Sequence, residues 1–269
     1  MVMLFEQNIR TNDRQSSKGN QLKWENNGIW YKADYTGYEG LAEYVISQLL
    51  MKSTLREDEY VKYSYETIKY KEIQYNGVKS DDFLKGDWQL ITLERLYKQL
   101  FGSSLYKTLY AIDDIRERLI FLINQVEYIT GLKDFGKYIN KLFTLDALFL
   151  NEDRHTHNIA VLMNGEGKFD FCPIFDNGAG LLSDTTMDFP LGEDVYSLIK
   201  SVKSKTVCSD FDEQLDLSEM LYGHNLTFSF TKKDVAEIVS SAEIYSEAER
   251  KRIEEIIYLQ MQKYQYLFK

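Results

Sequence analysis

Two prolines, two cysteines, three histidines and a deficit of positive charge are what this 269-residue chain shows where many proteins carry their signatures. Cys172 and Cys208 are too few for a disulfide framework. With so little proline and no Gly/Ser-rich stretch, nothing in the chain reads as a long linker between its parts. His155 and His157 alternate with Asp153, but the remaining histidine is the distant His224, and a zinc site needs three or four converging ligands. The 32 basic and 42 acidic residues give a formal charge of −10. That balance disfavours nucleic acid and anionic lipid surfaces, which both demand a basic footprint. No apolar run reaches the roughly 18 residues of a spanning helix, no secretory leader opens the chain, and no internal repeat is visible. The expectation is a cytoplasmic protein with no membrane span.

Hydrophobic residues make up 44% of the chain, enough for a sizeable core. At about 150 residues per domain, this length suits one large domain or two lobes, and the change of pattern places a boundary at 80/81. Residues 1–80 read as a small antiparallel β lobe. Ile29 to Asp34 is strand-like after the Asn26-Asn27-Gly28 turn, and Tyr60 to Tyr75 alternates Val61, Tyr63 and Tyr65, then Ile68, Tyr70, Ile73 and Tyr75, as one or two more strands. Between them, residues 38–52 carry Leu41, Tyr44, Val45, Gln48 and Leu49 at helical spacing. From about residue 87 the period becomes helical over Leu90 to Phe101, Asp113 to Tyr128 and Asp134 to Leu150, so residues 81–269 read as a larger, mainly helical lobe. Capping boxes at Thr231 to Asp234 and Ser246 to Glu249 open two further helices.

The chemistry concentrates in NEDRHTHNIAVLMNGEGKFDFCPIFDNGAG, residues 151–180. Asp153 and Asn158 stand five positions apart, and Asp176 opens a DNG tripeptide. Phosphoryl transfer asks for a carboxylate to orient the acceptor hydroxyl and for oxygen ligands to hold Mg²⁺ against phosphates. Mg²⁺ takes one or two carboxylates plus substrate phosphates rather than an all-protein cage. Ile159 to Met163, the Asn164–Gly167 turn cluster and Lys168 to Phe175 read as a β-hairpin with Met163 opposite Lys168. That register sets Asn158 opposite Pro173, with Asp176 within about 10 Å at roughly 3.3 Å per residue. Asp146, in an otherwise apolar helix, calls for Arg154 or His155 as partner.

DRHTHN reproduces the DRHxxN loop of HipA-like serine/threonine kinases, a loop shared with phosphoinositide kinases, and the 23 positions from Asp153 to Asp176 also resemble the HipA spacing. The resemblance implies a catalytic Asp153, a His155 that supports it or touches the transferred phosphate, and Mg²⁺ ligands at Asn158 and Asp176. SSKGNQLK, residues 16–23, resembles the phosphate loop of the same kinases, so Ser16, Ser17, Gly19, Asn20 and Gln21 would cover the ATP phosphates. Gly19 would let the backbone approach them closely. Lys32 would be the phosphate lysine, paired with a glutamate of the next helix: Glu43 is preferred and Glu39 is the alternative. Residues 63–80 would cross between lobes, and Ser183 to Asp188 fall where kinases place an activation or substrate segment.

The implied fold is α+β, two-lobed and protein-kinase-like, and the implied activity is transfer from ATP with Mg²⁺ to a protein Ser or Thr hydroxyl, with autophosphorylation at Ser16 or Ser17. A small-molecule or lipid kinase on the same core, a nucleotide-binding pseudokinase and a toxin-type regulator stay open. The chain is more similar to compact, stand-alone CtkA-type kinases than to full HipA toxins, so a HipB-like antitoxin partner is not expected.

Overall fold

The computed structural model describes residues 1–9 and 21–269. The chain forms two compact units, one built from residues 1–83, 175–202 and 227–269, the other from 84–174 and 203–226. The units interleave along the chain, which a single boundary at 80/81 does not describe.

The first unit holds a five-stranded sheet of β1 (Val2–Leu4), β2 (Lys23–Asn26), β3 (Ile29–Ala33), β4 (Ser64–Tyr70) and β5 (Ile73–Asp81), in the order β1-β4-β5-β3-β2. Asn27 and Gly28 both have positive φ, 54° and 78°, the primed turn that matches strand twist and sets Lys23 opposite Lys32. The lobe expected to be antiparallel is mixed, because β1 pairs parallel to β4; three residues are too short to show a period. Nor do residues 63–80 cross between lobes: they are the β4–β5 hairpin, paired Ser64 to Lys79 through Tyr70 to Ile73. One core of this unit gathers Leu4, Trp24, Tyr31, Ala33, Ile68 and Tyr70. Helix α1 (Glu39–Leu50) packs on β4 and β5; of the stripe its spacing predicts, Leu41, Val45 and Leu49 are buried and Tyr44 and Gln48 half-buried, while Ala42, Ile46 and Leu50 are buried as well. Helices α6 (Val195–Ser201), α8 (Lys232–Ser241) and α9 (Glu247–Lys263) complete the unit, the last two opened by the expected capping boxes.

In the second unit, β6 (Gln89–Thr92), β7 (Ala160–Met163) and β8 (Phe169–Phe171) form an antiparallel sheet beside helices α2 (Leu93–Phe101), α3 (Leu105–Tyr110), α4 (Ile115–Thr130), α5 (Phe135–Phe149) and α7 (Phe211–Tyr222). The helix expected from Leu90 begins only at Leu93, since Leu90 to Thr92 pair with β7; an apolar triplet fits either period. Helix α5 is buried on nearly every side and packs on α7. It ends at Leu150, whose left-handed φ of 56° turns the chain into the DRHTHN loop. The β7–β8 register is one residue from that expected: Met163 faces Phe169, because Gly167, at φ 78°, adds a residue to the turn.

Candidate functional site

Lys32 on β3, Glu43 on α1 and Asp176 after β8 meet within the first unit. The Lys32 ammonium donates to Glu43 Oε1 at 2.6 Å and to Asp176 Oδ1 at 2.8 Å. It also stands 5.1 Å from the face of the Tyr63 ring, with the Tyr63 hydroxyl at 3.5 Å. Both glutamates share one face of α1, and position along the helix explains the choice: Glu43, a turn in, is 1% exposed, whereas Glu39, in the first turn, caps its own approach to the helix. Its carboxylate accepts from the amides of Tyr35 at 3.2 Å, Thr36 at 2.7 Å and Gly37 at 3.2 Å.

Burial alone would pull the Lys32 ammonium down, but Asp176 and Glu43 outweigh it and hold its pKa well above the usual lysine value. Burial also pushes the Glu43 carboxyl up, against the pull of Lys32 and with Asp176 adding to the rise. The Asp176 carboxylate stands beside the Lys32 ammonium in the partly exposed half of the cluster, 19% exposed against 1% for Glu43. A carboxylate oxygen is the hard donor type that a divalent cation takes. Tyr63 escaped the sequence reading because it sits in a stripe of tyrosines that reads as core; Ser47 Oγ and Gln48 Nε2 of α1 fix its backbone at 3.1 and 3.0 Å.

Asp153, His155 and Asn158 come together in the second unit. Asn158 Nδ2 donates to the carbonyl and to Oδ2 of Asp153, at 2.8 and 2.9 Å. This commits the amide nitrogen and turns the side-chain oxygen, a donor type that Mg²⁺ accepts, away from Asp153. His155 Nδ1 accepts from the His157 amide at 3.2 Å, so its proton sits on Nε2, 3.6 Å from Asp153 Oδ1. Burial lowers the His155 pKa, Asp153 opposes that shift, and His157 and Lys205 add to it.

Beneath the loop, Arg154 donates to both Asp146 oxygens at 3.0 to 3.2 Å, with the two side chains 2% and 1% exposed. Burial raises the Asp146 pKa and Arg154 draws it back. Of the two candidate partners, Arg154 is the one that meets Asp146. The Thr206 hydroxyl donates to the Arg154 carbonyl, and Thr156 donates to Glu94 at 2.8 Å. Neither brace was legible in sequence, since lone threonines carry no pattern.

Ser16, Ser17, Gly19 and Asn20 lie outside the described residues. Gln21 is half-buried and precedes Leu22, whose carbonyl accepts from the Ala33 amide at 3.0 Å. Among the described residues, no three His, Cys, Asp or Glu side chains converge as a metal cage, and no helix is long and apolar enough to cross a membrane.

No protein-family model and no curated protein matches the chain. Among solved structures it is similar to the Helicobacter pylori proinflammatory kinase CtkA, with a TM-score of 0.62 over 98% of this chain and 94% of that one. The fold is that of a two-lobed kinase. At 16% identity the likeness is one of fold alone.

Proposed function

We propose that this chain is a HipA-like, ATP- and Mg²⁺-dependent phosphotransferase that passes the γ-phosphoryl group to a serine or threonine hydroxyl of a protein. One observation carries the reading: on a kinase fold, a strand lysine is held at once by a helix glutamate and by the aspartate of the DNG tripeptide. Kinase chemistry depends on that lysine–glutamate pair and on a metal-binding aspartate. Lys32 is the phosphate ligand and Glu43 orients it. Asp176 and Asn158 are the side chains we assign as oxygen donors for Mg²⁺. When bound, Mg²⁺ neutralises charge on the phosphates of ATP.

Asp153 orients the acceptor hydroxyl and takes its proton. His155, neutral with its proton on Nε2, faces Asp153 Oδ1 and holds that carboxylate in place. Ser16 to Gln21 cover the phosphates, and autophosphorylation at Ser16 or Ser17 would add about −1.5 to −2 charge there and switch the enzyme off.

The test is incubation with Mg²⁺ and γ-labelled ATP against proteins, sugars, inositides and amino alcohols, with intact-mass spectra of the enzyme itself. Label on protein Ser or Thr is the expected result. Label on a small molecule would move the acceptor class, and binding of nucleotide without transfer would make the chain a pseudokinase.

A further inference from the structure

The stretch that carries Asp176 has a backbone most sequences avoid. Asp176, Leu181 and Leu182 all have positive φ, at 59°, 55° and 55°. Asp tolerates that region, but consecutive leucines do not, and both are fully buried. Such backbone persists only where its surroundings over-determine it.

The surroundings belong to the approach to α1. Tyr38, itself fully buried, donates its hydroxyl to the Leu181 carbonyl at 2.7 Å and its amide to the Ser183 carbonyl at 3.1 Å. Ser183 Oγ donates onward to the Gly178 carbonyl at 2.6 Å. Gly178 lies against Glu43, where a Cβ would come 3.2 Å from Oε1. Gly37 sits so near Ser183 that a Cβ would stand 1.9 Å from its carbonyl oxygen. At the far end Arg252 donates to the Phe189 carbonyl at 2.8 Å. Thus the residues leading into the Glu43 helix grip the segment that follows Asp176.

We propose that Tyr38 is a positioning residue for Asp176: by holding the Leu181 carbonyl it keeps the Leu181–Leu182 turn left-handed and fixes the Asp176 carboxylate against Lys32. The hydrogen bonds of Tyr38 to Leu181 and Ser183 carry its effect to Asp176 through the turn. The consequence for metal binding rests on the phosphotransferase reading; the consequence for Lys32 does not.

Tyr38→Phe keeps the ring and deletes only the donor. Two readouts are taken well below each variant's unfolding midpoint. The first is the rate at which an amine-reactive reagent labels Lys32 without nucleotide, which reports the Asp176 contact directly. The second is the Mg²⁺ concentration needed for half-maximal binding of a non-hydrolysable ATP analogue. Faster labelling of Lys32 and a Mg²⁺ midpoint raised about 2- to 10-fold, the range of one hydrogen bond, are expected. Ser183→Ala should act in the same direction, and the double variant should shift both readouts by less than the product of the singles. Unchanged labelling and an unchanged midpoint, with only the melting temperature lowered, would overturn the proposal. If the wild type binds no Mg²⁺–nucleotide, the phosphotransferase reading fails, and the labelling rate alone decides the role of Tyr38.

Discussion

At the residue scale, two buried charges set the terms of the DRHTHN loop. Asp146 and Arg154 neutralise each other in a space that excludes water. Arg154→Met would strand the carboxylate, so a loss of about 3–5 kcal/mol in urea unfolding is expected; a loss below about 1 kcal/mol would mean that the loop has another anchor. His155 gives a pH signature. Its folded pKa lies below its unfolded value of about 6.5, chiefly through burial. Its contribution to stability is therefore present above about pH 6.5 and lost as pH falls through the folded value, because the unfolded chain takes up the proton first. His155→Gln should flatten the acid limb of stability between about pH 7 and pH 5; an unaltered limb would count against a neutral, buried imidazole. The need of Asp146 for a cation was legible because a lone carboxylate in an apolar helix has few other ways to be tolerated. Tyr63 was not, since its contact with Lys32 depends on the stretch before β4, which α1 fixes through Ser47 and Gln48.

Among the elements, α1 and α5 do most to place these groups, and one glycine tests α5. Gly136 lies where a Cβ would come 2.3 Å from the Tyr222 ring of α7. Gly136→Ala should therefore destabilise the α5–α7 packing by about 1–3 kcal/mol, read as a lowered unfolding midpoint; an unchanged midpoint would show that the ring yields freely. The helical period of α1 was readable because Leu41, Val45 and Leu49 recur every four residues, although burial reaches around to Ala42, Ile46 and Leu50. That of Leu90 to Phe101 was misjudged at its start, because Gln89–Thr92 is decided by pairing with β7 rather than by pattern. The one-residue slip in the β7–β8 register has the same origin: Gly167 takes a conformation that the turn composition permits but does not specify. The parallel β1 was hidden altogether, since its partner β4 lies more than sixty positions away in sequence.

For the whole molecule, the kinase fold was legible from motif order along the chain, while the interleaved units were not, because no local pattern announces that residues 227–269 belong to the amino-terminal unit, where α8 packs on α1. A protein that binds Mg²⁺–ATP only when folded gains stability by mass action, about 2.7 kcal/mol at one hundred times the dissociation constant. Thermal unfolding with Mg²⁺ and a non-hydrolysable analogue should shift upward in the wild type and not in Lys32→Met. Equal shifts in both would take Lys32 out of the nucleotide site.

The most direct measurement is the rate of γ-phosphoryl transfer from Mg²⁺–ATP by the wild type, Asp153→Asn and Asp176→Ala, each checked for a native unfolding profile. Transfer by the wild type, with a loss of about 100-fold or more in both variants, is the expected result. Wild-type protein that takes up no Mg²⁺–ATP, or folded variants that transfer at the wild-type rate, would contradict it.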